Sequence, residues 1–386
     1  MDHNKPIQVD LIIIGGGIVG LWALNQLSKL GYQCVLIEKN QLGCSQSGYS
    51  QGIIHGGIKY SLTGSLTKAT TSIKDMPSLW QQCLQGQGPI DLTSVKVLSS
   101  AHYLWSPQTI TGKIAQFLAR KSLQGETSLL SPPDYPPIFQ HQQFKGSLVA
   151  VKETVLDVPS LLQQLAIPHQ SRIIQGHATI KDHMVEVAHN QLYKFVGKKI
   201  ILTAGAGNEA LCANLPDAPS MQRRPLHMVT IKLPQLTPTF AHCLGANQLP
   251  RLTITSHQQS SGEWIWYLGG QLAEMGIARD QAQQLQTARE ELQQLFPWFN
   301  WQQATGDSFL IDRAEIKQAS GKRPDLPFVG KAGHCIVSWP TKLAFTPLAV
   351  EEIIKQLELE NIKPSSENNL PSFPYPGVLT PSWEHL

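Results

Sequence analysis

Runs of consecutive apolar residues alternate along this chain with amphipathic segments, and glycine often marks the change. The first run, Val9 to Ile14, is apolar at successive rather than alternate positions beyond Asp10. That pattern predicts a central strand buried on both faces. Gly15-Gly16-Gly17 follows at once, and Leu21, Leu24, Leu27 and Leu30 then recur at helical spacing up to a stop at Gly31. A second buried strand is predicted over Cys34 to Ile37, ending in Glu38, and a third over Ile200 to Leu202, ending in Thr203-Ala204-Gly205-Ala206-Gly207. Strand-like pieces also occur at Arg172 to Ile180, Met184 to Val187, His227 to Ile231, Leu252 to Thr255 and Glu263 to Gly270. Helices are expected over Ala278 to Leu295 and Pro347 to Leu357. The first of these is Gln-rich, with Leu285, Ala288, Leu292 and Leu295 available for one face. The stretch from Thr70 to Gln143 has little periodicity, and the tail beyond Pro364 is rich in Pro, Ser and Asn.

With 386 residues, 41% hydrophobic and 15% charged, the chain is long enough for two domains and has a soluble globular composition. A formal net charge of +3, with short basic pairs such as Lys198-Lys199 and Arg223-Arg224, does not make a phosphate-tracking surface. Nucleic acid is therefore not an expected partner. The six cysteines lie far apart without a C-x-x-C, which suits reduced thiols, and no linear metal-ligand spacing occurs among the thirteen histidines. No metal site and no transmembrane segment are expected. The default location is cytoplasmic, with peripheral membrane contact left open.

The glycines carry the first chemistry. Gly15, Gly17 and Gly20 form a G-x-G-x-x-G between a predicted strand and a predicted helix. In such a module the first glycine permits a tight turn, the second lets a pyrophosphate approach the backbone, and the third lets helix pack on strand. The helix N-terminus, at Ile18 and Val19, offers N–H groups and partial positive charge to phosphates. Glu38, followed by Lys39, stands where a carboxylate accepts hydrogen bonds from ribose hydroxyls. These features point to a dinucleotide and do not by themselves separate NAD from FAD.

A second glycine cluster follows in SQGIIHGGIKY, residues Ser50 to Tyr60. Together with DLIIIGGGIVGLWALNQLSKLG and VLIEKNQLG, it resembles the FAD-dependent family that includes D-amino acid oxidase, sarcosine oxidase and glycerol-3-phosphate dehydrogenase. IIHGGIKY is most similar to the glycerol-3-phosphate dehydrogenase and L-2-hydroxyglutarate oxidase branches. The resemblance implies an α/β plus α+β fold: a Rossmann-type FAD-binding domain with an antiparallel-sheet substrate lobe. It implies that Gly52, Ile54, His55, Gly56 and Gly57 lie along the flavin, that the backbone near Ile180 meets the adenine, and that Ala204, Gly205 and Gly207 form a second cofactor turn. Gly321-Lys322-Arg323-Pro324 and Leu326 to Gly330 resemble the family's G-x-R-P and P-x-I-G elements. Thr341, Lys342 and Leu343 would then lead a helix N-terminus to the flavin's pyrimidine end. The chain departs from the family at Val337-Ser338-Trp339-Pro340, where a glycine-rich turn is usual.

The resemblance divides the chain into a discontinuous FAD-binding domain (1–75, 145–215 and 313–362), a substrate lobe (76–144 and 216–312) and a tail (363–386). No second dinucleotide module appears downstream, so an organic substrate must reduce the flavin directly. The expected enzyme is an FAD-dependent oxidase or acceptor-linked dehydrogenase that takes a hydride from a small anionic 2-hydroxy acid. Oxygen, a quinone or another protein would be the electron acceptor. Two alternatives stand beside it: an amino acid or secondary amine oxidase or dehydrogenase, and a non-catalytic flavin-binding partner protein. His55 is the candidate base, with covalent attachment of FAD or a plain hydrogen-bonding role as alternatives. Arg323 is the candidate clamp for a substrate carboxylate or phosphate, with Arg313 in reserve. Lys342 could stabilise charge on the reduced ring, and Lys59 and Tyr60 could reach substrate. Trp264 and Trp266 share a strand face, as sheet packing or as an aromatic wall. His227 and His257 are read as satisfied sheet residues.

Overall fold

The computed structural model describes residues 5–56, 75–107, 127–245, 249–365 and 370–386. Gly57, Lys59 and Tyr60 lie outside the described residues. The apolar runs of the sequence form the middle of one sheet. Its strand order is Phe328–Ala332, Cys335–Trp339, Leu192–Leu202, Ile7–Ile14, Cys34–Glu38 and Ile173–Gln175, and an outer hairpin of His177–Lys181 and Met184–Ala188 extends it. The four inner pairings are parallel, as expected of strands that are apolar on both faces. The helices Ile18–Lys29, Val158–Ala166 and Thr346–Leu359 cover one face and share a core with Trp22, Leu36, Leu161 and Phe345. Asp157 caps the second of these helices by accepting from Ser160 N at 2.9 Å.

A second sheet follows the opposite rule. Its order is Thr305–Ile316, Met221–Lys232, Trp264–Gly269, Leu252–Gln258, Ala241–Cys243, His102–Ser106, Ser147–Val151 and Thr127–Leu129. Every pairing is antiparallel except that between Ala241–Cys243 and His102–Ser106. Side chains alternate across it with period two. Trp105, Ala241, Leu252, Ile254, Trp266 and Leu268 face a core capped by the helix Gln281–Leu295. Trp266 is fully buried there against Phe296 and Trp301, and its Nε1 donates to Thr237 O. The tryptophans of this strand therefore pack the sheet and do not wall a substrate site.

Three segments cross the domain division expected from the sequence. The helix Met76–Leu84 packs into the first core through Trp80 against Trp22, and its indole donates to Ala344 O. Ser147–Val151 and the end of Thr305–Ile316 both belong to the second sheet. The tail is ordered across its described part: Leu42 pairs with Val378, and Phe373, Leu379 and Trp383 are buried. All six cysteines are free thiols. Among the described residues no helix is long and apolar enough to cross a membrane.

Candidate functional site

Register brings the glycine turns together. Ile14 is opposite Ile37 on one side and Leu202 on the other, and Leu202 is opposite Val337. Three strands thus end at about one level and the fourth runs two residues further, to Trp339, and the segments that follow them leave the sheet at its carboxyl edge, where open α/β sheets form their binding crevice. Gly15 has φ +114°, and a Cβ there would lie 2.5 Å from the Ala204 backbone. A Cβ on Gly20 would overlap the Gly15 carbonyl. Gly17 caps the helix Ile18–Lys29 in extended geometry, with the hydroxyl of Ser47 accepting from Ile18 N at 2.9 Å. Ser47 gives no signal in the sequence, because a serine in a polar turn is unremarkable on its own.

Glu38 ends its strand beside this turn. Its carboxylate accepts from Gly16 N at 2.7 Å and Asn40 N at 2.9 Å. Burial pushes its pKa up, against those backbone donors and the Lys39 ammonium, whose side chain is exposed. Each oxygen retains a lone pair for a ribose hydroxyl. Ile180 sits on the outer hairpin opposite Val185, its side chain half-buried.

The second turn, Thr203 to Gly207, is locked to the strand end beyond it. Asn208 Oδ1 accepts from Ala204 N at 2.9 Å, and its Nδ2 donates to Ser338 O at 3.2 Å. Nothing would meet a Cβ at Gly205, which leaves room for a ligand to approach the backbone. Where the family has a glycine-rich turn, Thr341 adopts φ +62° instead. Lys342 then caps a short 3-10 turn, Leu343–Phe345, with its ammonium 5.0 Å from the Phe345 ring centroid. These cradles fit a dinucleotide: two crowded glycines, a helix N-terminus, a ribose carboxylate and an open second turn converge on one edge.

The loop after Ser47 crosses towards the second sheet. Gly52 has φ +69°, and its carbonyl accepts from Leu156 N at 2.9 Å, while Ile54 N donates to Thr154 O at 2.9 Å. Ile53 and Val155 form an antiparallel bridge. That register sets His55 directly across from Glu153. Their side chains meet, with His55 Nδ1 3.1 Å from Glu153 Oε2, and Gly56 N donates to Glu153 Oε1 at 2.8 Å. Glu153 is buried and His55 half-buried.

Above them lies the face of the second sheet opposite the tryptophan core. It carries His102, His242, Thr253, Thr255, His257 and Tyr267, all buried. His242 stacks on His55 with centroids 5.7 Å apart, contacts His102 at 4.1 Å, and has Nδ1 2.8 Å from Thr253 Oγ1. Gln51 Nε2 donates to Tyr267 O at 3.0 Å, and the Tyr267 hydroxyl donates to Tyr49 O at 2.9 Å, which tie the loop to this roof. His227 is satisfied by Gly276 O and Ser308 Oγ. His257 has no hydrogen-bond partner among the described residues and stacks on Trp383.

Donor atoms of His55, Glu153 and His242 lie within 4.8 Å of one another, a set that could hold a metal ion. The expectation of no metal site rested on linear spacing, which does not register three groups supplied by separate elements. Arg323 is half-buried on the loop before Phe328–Ala332. Arg313 is already engaged: Nε donates to Arg224 O at 2.9 Å and Nη2 to Glu274 at 3.0 Å. His102 and His242 were missed in the sequence because each is an isolated polar residue in a strand, and Glu153 because it is one of three polar residues in the short connection between Ser147–Val151 and Val155–Leu156.

The family model for the FAD dependent oxidoreductases (DAO) matches residues 10–340. A Pseudomonas aeruginosa protein described as a probable FAD-dependent oxidoreductase is 41% identical over 391 residues, covering 98% of each chain. The crystal structure of an FAD dependent oxidoreductase from that organism superposes with a TM-score of 0.84 at 39% identity, covering 99% of each chain. A mitochondrial L-2-hydroxyglutarate dehydrogenase of Nematostella vectensis is 41% identical over 78 residues, 19% of this chain and 16% of its own. Iminodiacetate oxidase from Chelativorans sp. has a TM-score of 0.64 at 15% identity, covering 93% of this chain and 100% of its own, and shares the fold.

Proposed function

The chain belongs to the FAD dependent oxidoreductase (DAO) family and is an FAD-dependent enzyme, and from that premise we propose that it oxidises a small anionic 2-hydroxy acid. The observation that carries this reading is the position of His55, at the end of a loop stitched to Thr154–Leu156 and beneath a polar roof. An alcohol needs a proton acceptor as its C–H bond breaks, and a histidine at the crevice supplies one. The local similarity to L-2-hydroxyglutarate dehydrogenase supports the same substrate class.

Gly15, Gly17, Ile18, Val19 and Gly20 hold the pyrophosphate in this reading, and Glu38 holds the ribose, with Lys39 adding positive charge beside it. Ile180 would meet the adenine. Gly52, Ile54 and Gly56 would line the flavin with Ala204, Gly205, Gly207, Thr341, Lys342 and Leu343. Bound FAD supplies the acceptor for the substrate's hydride. His55 takes the hydroxyl proton as the carbonyl forms. Arg323 clamps the substrate carboxylate through its two-pronged guanidinium.

The test is anaerobic mixing of the flavin-loaded protein with small 2-hydroxy acids and, separately, with amino and imino acids, followed at the flavin absorbance band. Bleaching by a hydroxy acid, lost in His55→Asn, is the expected result. Rapid bleaching by an amine substrate, undiminished in His55→Asn, would assign the enzyme to amine oxidation instead.

A further inference from the structure

His55 is useful as a proton acceptor only if the nitrogen that faces the reaction carries a lone pair. A neutral imidazole holds its proton on either nitrogen, and the group bonded to the other nitrogen decides which. Two arrangements of the His55–Glu153 contact are possible. In one, an ionised Glu153 accepts from Nδ1–H, and the lone pair is on Nε2. In the other, a protonated Glu153 donates to Nδ1, and Nε2 carries the hydrogen.

The surroundings of Glu153 distinguish them. Its second oxygen, Oε1, accepts from Gly56 N at 2.8 Å. A backbone N–H aimed at a carboxyl group favours its charged form. The same bond draws the loop backbone towards Glu153, so one buried carboxylate holds both the imidazole and the residue after it. The antiparallel register that places Val155 opposite Ile53 also places Glu153 opposite His55, so the backbone pairing brings the two side chains to the same level. The His242 ring lies nearly parallel to that of His55, with centroids 5.7 Å apart.

We propose that Glu153 is a positioning residue which, as a carboxylate braced by Gly56 N–H, keeps the His55 proton on Nδ1 and leaves Nε2 as the proton-accepting atom of the site. The proposal rests on the reading of His55 as the base. It follows the general logic of a base oriented by a third group. The proton taken up at Nε2 during oxidation makes an imidazolium, and the Glu153 carboxylate beside Nδ1 stabilises that cation.

Glu153→Gln reverses the arrangement by simple donor counting. If the amide oxygen keeps the Gly56 N–H, the amide nitrogen faces Nδ1 and can only donate. The imidazole must then carry its proton on Nε2. The experiment is a long-range proton–nitrogen correlation spectrum of the flavin-loaded full-length protein with nitrogen-labelled histidine, and His55 is assigned by the signal lost in His55→Asn. The expected wild-type spectrum has a protonated Nδ1 and an unprotonated Nε2, and Glu153→Gln is expected to exchange them. In the same variant, kcat for whichever small acid bleaches the flavin fastest should fall by about 100-fold or more, with KM little changed. A wild-type His55 protonated on Nε2, or identical tautomers in both proteins, overturns the proposal. The wild-type spectrum alone is decisive should the variant fail to fold. Because the spectrum needs no substrate, failure of every hydroxy acid to bleach the flavin would remove the hydroxy-acid assignment and the base with it, whereas the tautomer that Glu153 sets would still be read from the spectrum.

Discussion

The indole Nε1 of Trp339 donates a hydrogen bond to the carbonyl oxygen of Gly205, 3.0 Å away, and so joins the ends of two adjacent parallel strands. Trp339 itself is buried. The bulky residue that stands where a glycine-rich turn was expected therefore ties down the turn Thr203 to Gly207, and Thr341 supplies the left-handed backbone. Removal of this one hydrogen bond costs about 1 kcal/mol. Trp339→Phe is expected to weaken FAD binding roughly fivefold, as read by flavin fluorescence on titration of the apoprotein. Unchanged affinity would mean that Asn208 alone holds the turn.

Glycines in the cradle differ in what they tolerate. Gly20→Ala forces a methyl group into the Gly15 carbonyl and should yield protein without bound flavin, measured as the ratio of visible to ultraviolet absorbance. Gly205 has φ +57° but open space around it, so Gly205→Ala should fold with a loss of about 1–2 kcal/mol from backbone strain. If the two variants lost flavin equally and were equally stable, steric crowding at Gly20 would not be the reason for its glycine.

Asp10 binds the first strand to the chain beyond the last helix. It accepts from Gln33 N, from Ser365 N and Oγ, and from the Lys198 ammonium. Burial alone would raise its pKa, but Lys198 and Ser365 outweigh that and hold it below the ordinary 3.8. A carboxyl group whose folded pKa is depressed stabilises at pH above its unfolded value and loses that contribution as pH falls through the folded one. Asp10→Asn should cost about 2 kcal/mol near neutral pH, with the gap to wild type closing in acid. Denaturant unfolding at several pH values measures both, and a gap independent of pH would remove the charge from the explanation.

His257 has the reverse sign. Burial, and to a lesser extent Lys96, lowers its pKa from 6.5 to about 3, and its ring is stacked 4.1 Å from Trp383 of the tail. The unfolded chain takes up this proton before the folded one does, so stability is full above about 6.5 and declines as pH falls towards 3. His257→Phe should keep the stacking, remove two unsatisfied nitrogens and flatten the acid side of the stability profile. Melting temperature against pH is the measurement, and an unchanged acid slope would exclude His257 as its source.

The sequence by itself determined the dinucleotide module and the family. Val9 to Glu38 contains strand, glycine turn, helix, strand and acid within thirty residues, and local spacing is sufficient because each part touches its neighbours in the chain. Helix ends at Leu295 and near Leu357 were legible for the same reason. The tertiary structure decided what depends on register between distant segments. Ser147–Val151 falls in the span assigned to the cofactor domain, and only its pairing with His102–Ser106 places it in the second sheet. Glu153 reads as a lone acid until the bridge between Ile53 and Val155 brings it against His55. The roof histidines and threonines alternate with core residues, and period two assigns them to one face without saying which loop that face will meet. A pairing register across about a hundred residues is fixed by the summed packing of both sheets, and no short stretch of sequence encodes it.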